Sequence, residues 1–276
     1  MSYRIPVGDV IESGINFLVE HLSFATKACS VVVEASLRFL EKGMVAIPEP
    51  IFILLSGLIV WRLTRERNLG LFAVLGLALI WNMGLWAATM STIALVFVAT
   101  LFAIMLGIPI GIFTAVNKVA YRIIMPTLDI MQTMPAFVYL IPAIPFFGLG
   151  KMAAIFSTVI FSMPPAIRMT CLGIRQVPLD LVECAEAFGS SRWQRLVKLE
   201  LPLARSTILA GVNQTVMLAL SMVVIAAMIG AKGLGGEVWK AIQRLQMGRG
   251  FEAGIGIVIV AIILDRVLQK AGKRKQ

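Results

Sequence analysis

The chain has 276 residues, of which 59% are apolar and only 14% charged, at a mean hydropathy of +0.89. That composition leaves no room for a soluble domain of useful size and places the chain with polytopic membrane proteins. The formal net charge of +10 is read as a report of membrane topology, because cytoplasmic loops collect Lys and Arg, and not as a footprint for nucleic acid.

The first element in chain order is amphipathic. Met1 to Asp9 lacks the basic flank and immediate apolar run of a signal peptide. From Val10 to Met44 the pattern is helical. Ile11, Ile15, Leu18, Leu22, Ala25, Cys29, Val32 and Phe39 or Leu40 recur at three- and four-residue steps, with Glu12, Asn16, Glu20, Lys27, Glu34, Arg38 and Glu41 on the other side. Such a helix belongs in the membrane interface or on the outer surface of a bundle. Residues 1–45 are therefore expected to form an exterior scaffold segment, separate from a membrane domain at 46–276. Four Lys/Arg against six Asp/Glu in residues 1–50 suit an exterior N-terminus.

A bilayer core of about 30 Å calls for around 20 apolar residues per helix. Seven stretches qualify as candidate spans: 46–61, 70–87, 90–116, 127–148, 151–171, 207–230 and 252–268. Pro135, Pro142 and Pro145 interrupt the fourth, and Pro164 and Pro165 the fifth. A broken helix survives in a membrane only where protein or a water-lined cavity satisfies the freed backbone groups. These prolines therefore either kink packed helices or shape the wall of a transport path. Asp129, Gln132 and Thr133, just ahead of Pro135, are candidate path residues. In the sixth span, Ile208 to Ala231 holds no ionisable residue, but Asn213, Gln214, Thr215 and Ser221 are uncharged hydrogen-bonders, and Gln214 and Ser221 share a face. They serve either as interhelical glue or as path lining.

Between the fifth and sixth spans lies a charged island. Pro178 suits a first helical turn, so a short helix is expected from about Pro178 to Phe188. Gly189 supplies a residue able to turn left-handed, and Ser191 with Gln194 has the form of a capping box opening a second helix that stops before Pro202. Asp180, Glu183, Glu186, Arg192, Arg195, Lys198 and Glu200 exclude this pair from hydrocarbon, where a central charge costs roughly 2.5–3.5 kcal/mol. The island must face water or a partner. Placing it in the cytoplasm puts 16 of the 25 basic residues there, including Arg62, Arg65, Arg67, Lys118, Arg122 and the tail Arg266, Lys270, Lys273, Arg274 and Lys275. Seven spans with the N-terminus outside and the C-terminus inside are then self-consistent. Further on, the exterior segment Gly230 to Gly250 predicts a short outer helix. Trp239, Ile242 and Leu245 mark one side of it and Lys240 and Arg244 another, serving as a docking surface or as a plug between spans.

Chemistry-bearing motifs are sparse. His21 is the one histidine and has no ligand cluster at metal spacing, and Cys29, Cys171 and Cys184 give no disulfide framework. No GxxxxGK[ST] phosphate loop occurs. No cofactor is expected in the chain itself, and if ATP drives it, the ATPase is another polypeptide.

The string Glu183-Cys184-Ala185, three residues, Gly189, nine residues, then Leu199-Glu200-Leu201-Pro202 resembles the EAA signature of permease subunits of binding-protein-dependent ABC importers. The stretches DIMQTMPAFVYLIPAIPFFGLG, FSMPPAIRMTCLGIRQVP, LALSMVVIAAMIGAKGLGGEV and EAGIGIVIVAIILDR are similar to the glycine betaine/proline importer permeases, over about residues 48 to 268. The resemblance implies an all-α type I ABC importer permease fold that moves a compatible solute such as glycine betaine or proline betaine. It implies coupling through Glu183, Cys184, Ala185, Glu186, Gly189, Arg192, Leu201 and Pro202 to cytoplasmic ATPases, which carry the ATP and Mg. It further implies an exterior substrate-binding protein, a second permease copy and surrounding lipid as partners, with a path for which Gln132, Thr133, Pro135, Asn213, Gln214 and Ser221 are candidates. Cys184 stands where the signature has Ala, a small-for-small replacement. The alternatives are the permease of an importer for an amino acid, choline or carnitine, and, less favoured, a secondary transporter or channel. The latter would place ionisable groups within its spans.

Overall fold

The computed structural model describes residues 7–273, apart from the side chains of residues 7, 10, 11, 22–29 and 271–273. The side chains of Ile11, Leu22, Ala25, Lys27, Cys29, Lys273, Arg274 and Lys275 therefore lie outside the described set. Among the described residues every element is helical: α1 (Val7–Ala46), α2 (Glu49–Thr64), α3 (Arg67–Asn82), α4 (Trp86–Val116), α5 (Lys118–Thr133), α6 (Leu140–Phe147), α7 (Lys151–Arg175), α8 (Leu179–Ala187), α9 (Arg192–Arg195), α10 (Leu201–Ala226), α11 (Leu234–Gln243) and α12 (Met247–Lys273). The seven apolar stretches fall on α2, α3, α4, α5 with α6, α7, α10 and α12. Three helices are long and apolar enough to cross a membrane, Trp86–Val116, Lys151–Arg175 and Arg192–Ile229; two bent pairs, Ser30–Ala46 with Glu49–Thr64 and Lys118–Thr133 with Ala136–Phe147, add candidates.

The centre of the bundle is α7, flanked by α4 and α10. Missing side chains bring the three backbones together. A Cβ at Gly107 would lie 2.8 Å from the Ala166 Cβ, one at Gly111 2.7 Å from the Ile167 carbonyl, and one at Gly211 2.6 Å from the Met169 Cβ. Gly107 and Gly111 are four apart, so α4 presents a small-residue seam of the kind that packs helices in lipid, where burying apolar surface against more apolar surface gains little.

This packing decides what the prolines do. Pro164 and Pro165 are buried, and α7 runs through them unbroken from Lys151 to Arg175. The expected interruption of the fifth span is thus replaced by a continuous helix, because the flanking helices confine the chain more strongly than two lost N–H donors loosen it. Pro135, in contrast, is exposed. There α5 stops at Thr133, a 3-10 turn covers Ala136–Tyr139, and the two halves of the stretch diverge by 112°.

The face that α1 buries also differs from the periodic reading. Val33 and Leu37 are buried, with Leu40 and Met44 packed beside them, whereas Val32 and Phe39 stay 61% and 79% exposed. Among the described residues, the part of α1 around Val33 to Met44 lies against the bundle, and it is fixed there by polar groups. Lys151 Nζ donates to Glu41 Oε1 and Oε2 at 2.6 and 2.7 Å, and Ser91 Oγ donates to Glu41 Oε1 at 2.8 Å. These contacts join α1 to the N-terminal ends of α4 and α7. The same end of the bundle carries α11, whose Leu234 is fully buried and whose N–H donates to Thr92 Oγ1 at 2.8 Å.

The other end gathers the basic residues. The end of α7, the start of α10 and the end of α4 meet around Ile174, Leu196, Ala204, Ile112 and Ala115. The Arg175 guanidinium lies 3.9 Å over the Tyr121 ring, and Lys270 Nζ is 2.5 Å from Glu66 Oε1 at the α2–α3 turn.

Candidate coupling site

The island folds into a helical hairpin projecting from that basic end. Pro178, with φ −55 and ψ 132, caps α8. Its C-terminal end closes in a Schellman motif, in which the Ser190 N–H donates to the Ala185 carbonyl at 3.0 Å and the Gly189 N–H to the Glu186 carbonyl at 2.9 Å. Gly189 has φ 77, and no heavy atom lies within 4 Å of where its Cβ would be. The constraint on this residue is therefore backbone conformation, not space. The following helix opens with the full capping box: Gln194 N–H to Ser191 Oγ at 3.3 Å, and Ser191 N–H to Gln194 Oε1 at 2.9 Å.

The second helix does not stop before Pro202 as the sequence suggests. α9 passes into a π turn over Leu196–Glu200 and on into α10, giving one continuous helix from Arg192 to Ile229. The Leu201 N–H bonds five residues back to the Leu196 carbonyl. This wider register lies where a proline ring would crowd the carbonyl four residues before it, so Pro202 sits in the first turn of α10 without ending the helix.

One side chain holds the hairpin together. Arg195 pairs with Glu186 of α8, and its Nε lies 2.7 Å from Oε1 of Glu200, which is only 6% exposed. Leu196 is buried and Leu201 packs against the same small cluster, so the hairpin stands on an apolar footing at the ends of α4, α7 and α10. Its tip faces outward. Phe188 and Trp193 are 86% and 72% exposed and Leu179 is 72% exposed. Glu183, Cys184, Glu186, Arg192 and Pro202 are also exposed, and Ala185 is half-buried. Large apolar groups between charges, held out by a pinned turn, form a surface that can bury a few aromatic anchors in a partner's cleft.

The candidate path residues divide. Gln132, Thr133 and Pro135 are exposed at the α5 elbow, and Gln214 and Ser221 are exposed on one face of α10. Asn213 points elsewhere: its Nδ2 donates to Asp265 Oδ1 of α12 at 2.8 Å, and its Oδ1 is buried without a partner. Neighbouring residues on a helix differ by about 100° in direction, so Asn213 and Gln214 serve different surfaces. Thr215 is buried and bonds to the Gly211 carbonyl at 3.0 Å. Asp129 pairs with Arg168 of α7. Of the thiols, Cys171 is buried and Cys184 exposed, both free.

Sequence reading missed the Arg195 clamp, the outward aromatics and the Glu41–Lys151–Ser91 junction. Arg195 is nine residues from Glu186 across a turn, and Glu41 is 110 residues from Lys151. Neither spacing repeats in any period. Phe188 and Trp193 were visible as bulky apolar residues within a charged stretch, which is the signal that could have found them.

Residues 107–274 match the family model described as the binding-protein-dependent transport system inner membrane component. The chain is 46% identical over 273 residues to the glycine betaine transport system permease protein OpuAB of Bacillus subtilis (strain 168), covering 99% of this chain and 96% of that protein. It is 45% identical over 269 residues to the glycine betaine/proline betaine transport system permease protein ProW of Escherichia coli (strain K12), covering 98% and 76%. Among solved structures, an inward-facing conformation of the MetNI methionine ABC transporter aligns at TM-score 0.57 and 25% identity over 67% of this chain and 90% of that one.

Proposed function

The chain belongs to the family of binding-protein-dependent transport system inner membrane components, and on that premise we propose that it is the translocating subunit of an ATP-driven importer of a compatible solute, glycine betaine or proline betaine. The observation that carries the mechanism is the pinned hairpin with Phe188 and Trp193 facing outward. It fits a cleft on a separate cytoplasmic ATPase, which supplies ATP, Mg and hydrolysis. The hairpin is continuous with α10, so movement of the ATPase reaches the exposed face of Gln214 and Ser221 along a single helix. That face, with Gln132, Thr133 and Pro135 at the elbow, lines the path against a second copy of the chain. The substrate class follows from the relatives named for glycine betaine and proline betaine transport.

The hairpin, the α2–α3 turn and the tail then lie in the cytoplasm, and α11 and the Glu41–Lys151 junction lie outside. α1 is a scaffold segment on the exterior side of the membrane domain, and a separate binding protein delivers the solute there. The deciding experiment is reconstitution with the candidate ATPase and binding protein. Uptake of labelled glycine betaine is expected only when both are present with ATP inside the compartment facing the hairpin; uptake without the ATPase overturns the reading.

A further inference from the structure

Away from the hairpin, a groove of about 880 Å³ runs down the outside of the bundle from the α11 end, lined among others by Phe72 of α3, Val238 and Ile242 of α11, and Gly250, Gly254 and Ile255 of α12. Glycines hollow out its floor, and no heavy atom lies within 4 Å of where a Cβ at Gly254 would be. The lining continues along α12 from Met247 to Ile262, about 22 Å at 1.5 Å per residue. That exceeds the half-thickness of a bilayer core, about 15 Å, so the groove can hold one acyl chain from its head towards the midplane.

The mouth is basic. Arg244 and Arg249 are exposed on either side of the lining residues Leu245 to Met247, and among the described residues neither forms an ion pair. The nearest acid in sequence, Glu252, is exposed at the start of α12. Leu245 itself is held at φ 54 and is 85% exposed. A left-handed conformation is unfavourable for a bulky residue, and here it sets an apolar side chain at the entrance. We propose that the groove is a phospholipid site, in which one acyl chain of an anionic glycerophospholipid lies along the glycine face of α12 and its phosphate sits between Arg244 and Arg249. The assignment is independent of which solute the protein carries.

The test uses the full chain incorporated from phosphatidylcholine vesicles doped with phosphatidylglycerol, with retained lipid read by native mass spectrometry after detergent washing. The wild type is expected to keep one phosphatidylglycerol per chain. Gly254→Leu fills the groove and should lower retention of both lipids more than tenfold. R244Q/R249Q, two exposed changes outside the packed interior, should lower phosphatidylglycerol retention roughly tenfold and phosphatidylcholine retention by less, because the choline cation already offsets the charge of its phosphate. Retention by R244Q/R249Q equal to that of the wild type overturns the proposal. So does efficient disulfide cross-linking of two chains through Phe251→Cys, which places a second protein chain in the groove.

Discussion

Gly189 is held by conformation alone, so its replacement isolates one physical effect. Valine at φ 77 is unfavourable by about 1–2 kcal/mol, with no clash to add. Gly189→Val should therefore misdirect the hairpin while the bundle still inserts. Membrane levels should match the wild type, the partner's ATP hydrolysis should persist, and solute uptake should fall at least tenfold; normal uptake would contradict the coupling role. Arg195 acts differently. Arg195→Gln leaves Glu200 buried with its charge unpaired and is expected to cost about 2–3 kcal/mol, below the full value for deeply buried pairs because the arginine is partly solvated. The double change R195Q/E200Q removes both charges and should recover most of that loss in thermal unfolding of the purified chain, as coupled neighbours do. Gly189 and the Ser191–Gln194 box were legible in the sequence because their chemistry is local. The Arg195 clamp was not, because its partners are set by how the two helices fold back.

Helices that are continuous here owe it to their neighbours. α7 carries Pro164 and Pro165 yet does not break, and a sequence pattern that treats each helix in isolation has no means of weighing the confinement by α4 and α10. The apolar period of α1 was similarly incomplete: it identified a helix, while Val33 and Leu37 make the contact, because the pairing of Glu41 with Lys151 fixes which side turns inward. The α4–α7 seam yields the prediction at this scale. Gly111→Leu sets a Cβ 2.7 Å from the Ile167 carbonyl and the Thr170 Cβ, and overpacking of this kind costs about 1–3 kcal/mol. Thermal unfolding should show the loss, and Gly254→Leu, whose added Cβ meets open space, should not. Equal destabilisation of the two variants would remove the seam as an explanation for the close approach.

For the molecule as a whole, the tail of α12 is fastened to the α2–α3 turn by Lys270 and Glu66. The lysine's hydrogen bond and charge hold the Glu66 carboxyl below its ordinary range. A depressed folded-state pKa contributes stability that is present above the ordinary carboxylate pKa and lost as pH falls through the lowered one. Protection of the α2–α3 turn amides against hydrogen exchange, measured relative to the intrinsic rate at each pH, should therefore fall on acidification below about pH 4, and Glu66→Gln should abolish that acid-dependent step. Because the pair is exposed, the effect is local and small. The all-helical architecture and the apolar stretches on α4, α7 and α10, which are long and apolar enough to cross a membrane, were legible in the sequence, since hydrocarbon imposes such runs. The angles at Ala46 and Thr133 were not, because a proline marks where a helix can break without setting the angle of the break.

The unbroken helix from Arg192 to Ile229 has a mechanical consequence. At 38 residues it is a rod of about 57 Å, longer than the bilayer is thick, and it lacks the flexible joint that a stop before Pro202 would have introduced. A push at the hairpin therefore reaches the opposite surface without slack, in the manner of a lever whose fulcrum is the glycine contact with α7. If the hairpin couples to an ATPase as proposed, the stroke is set by how far that rod can tilt, and its timing by whatever holds the hairpin.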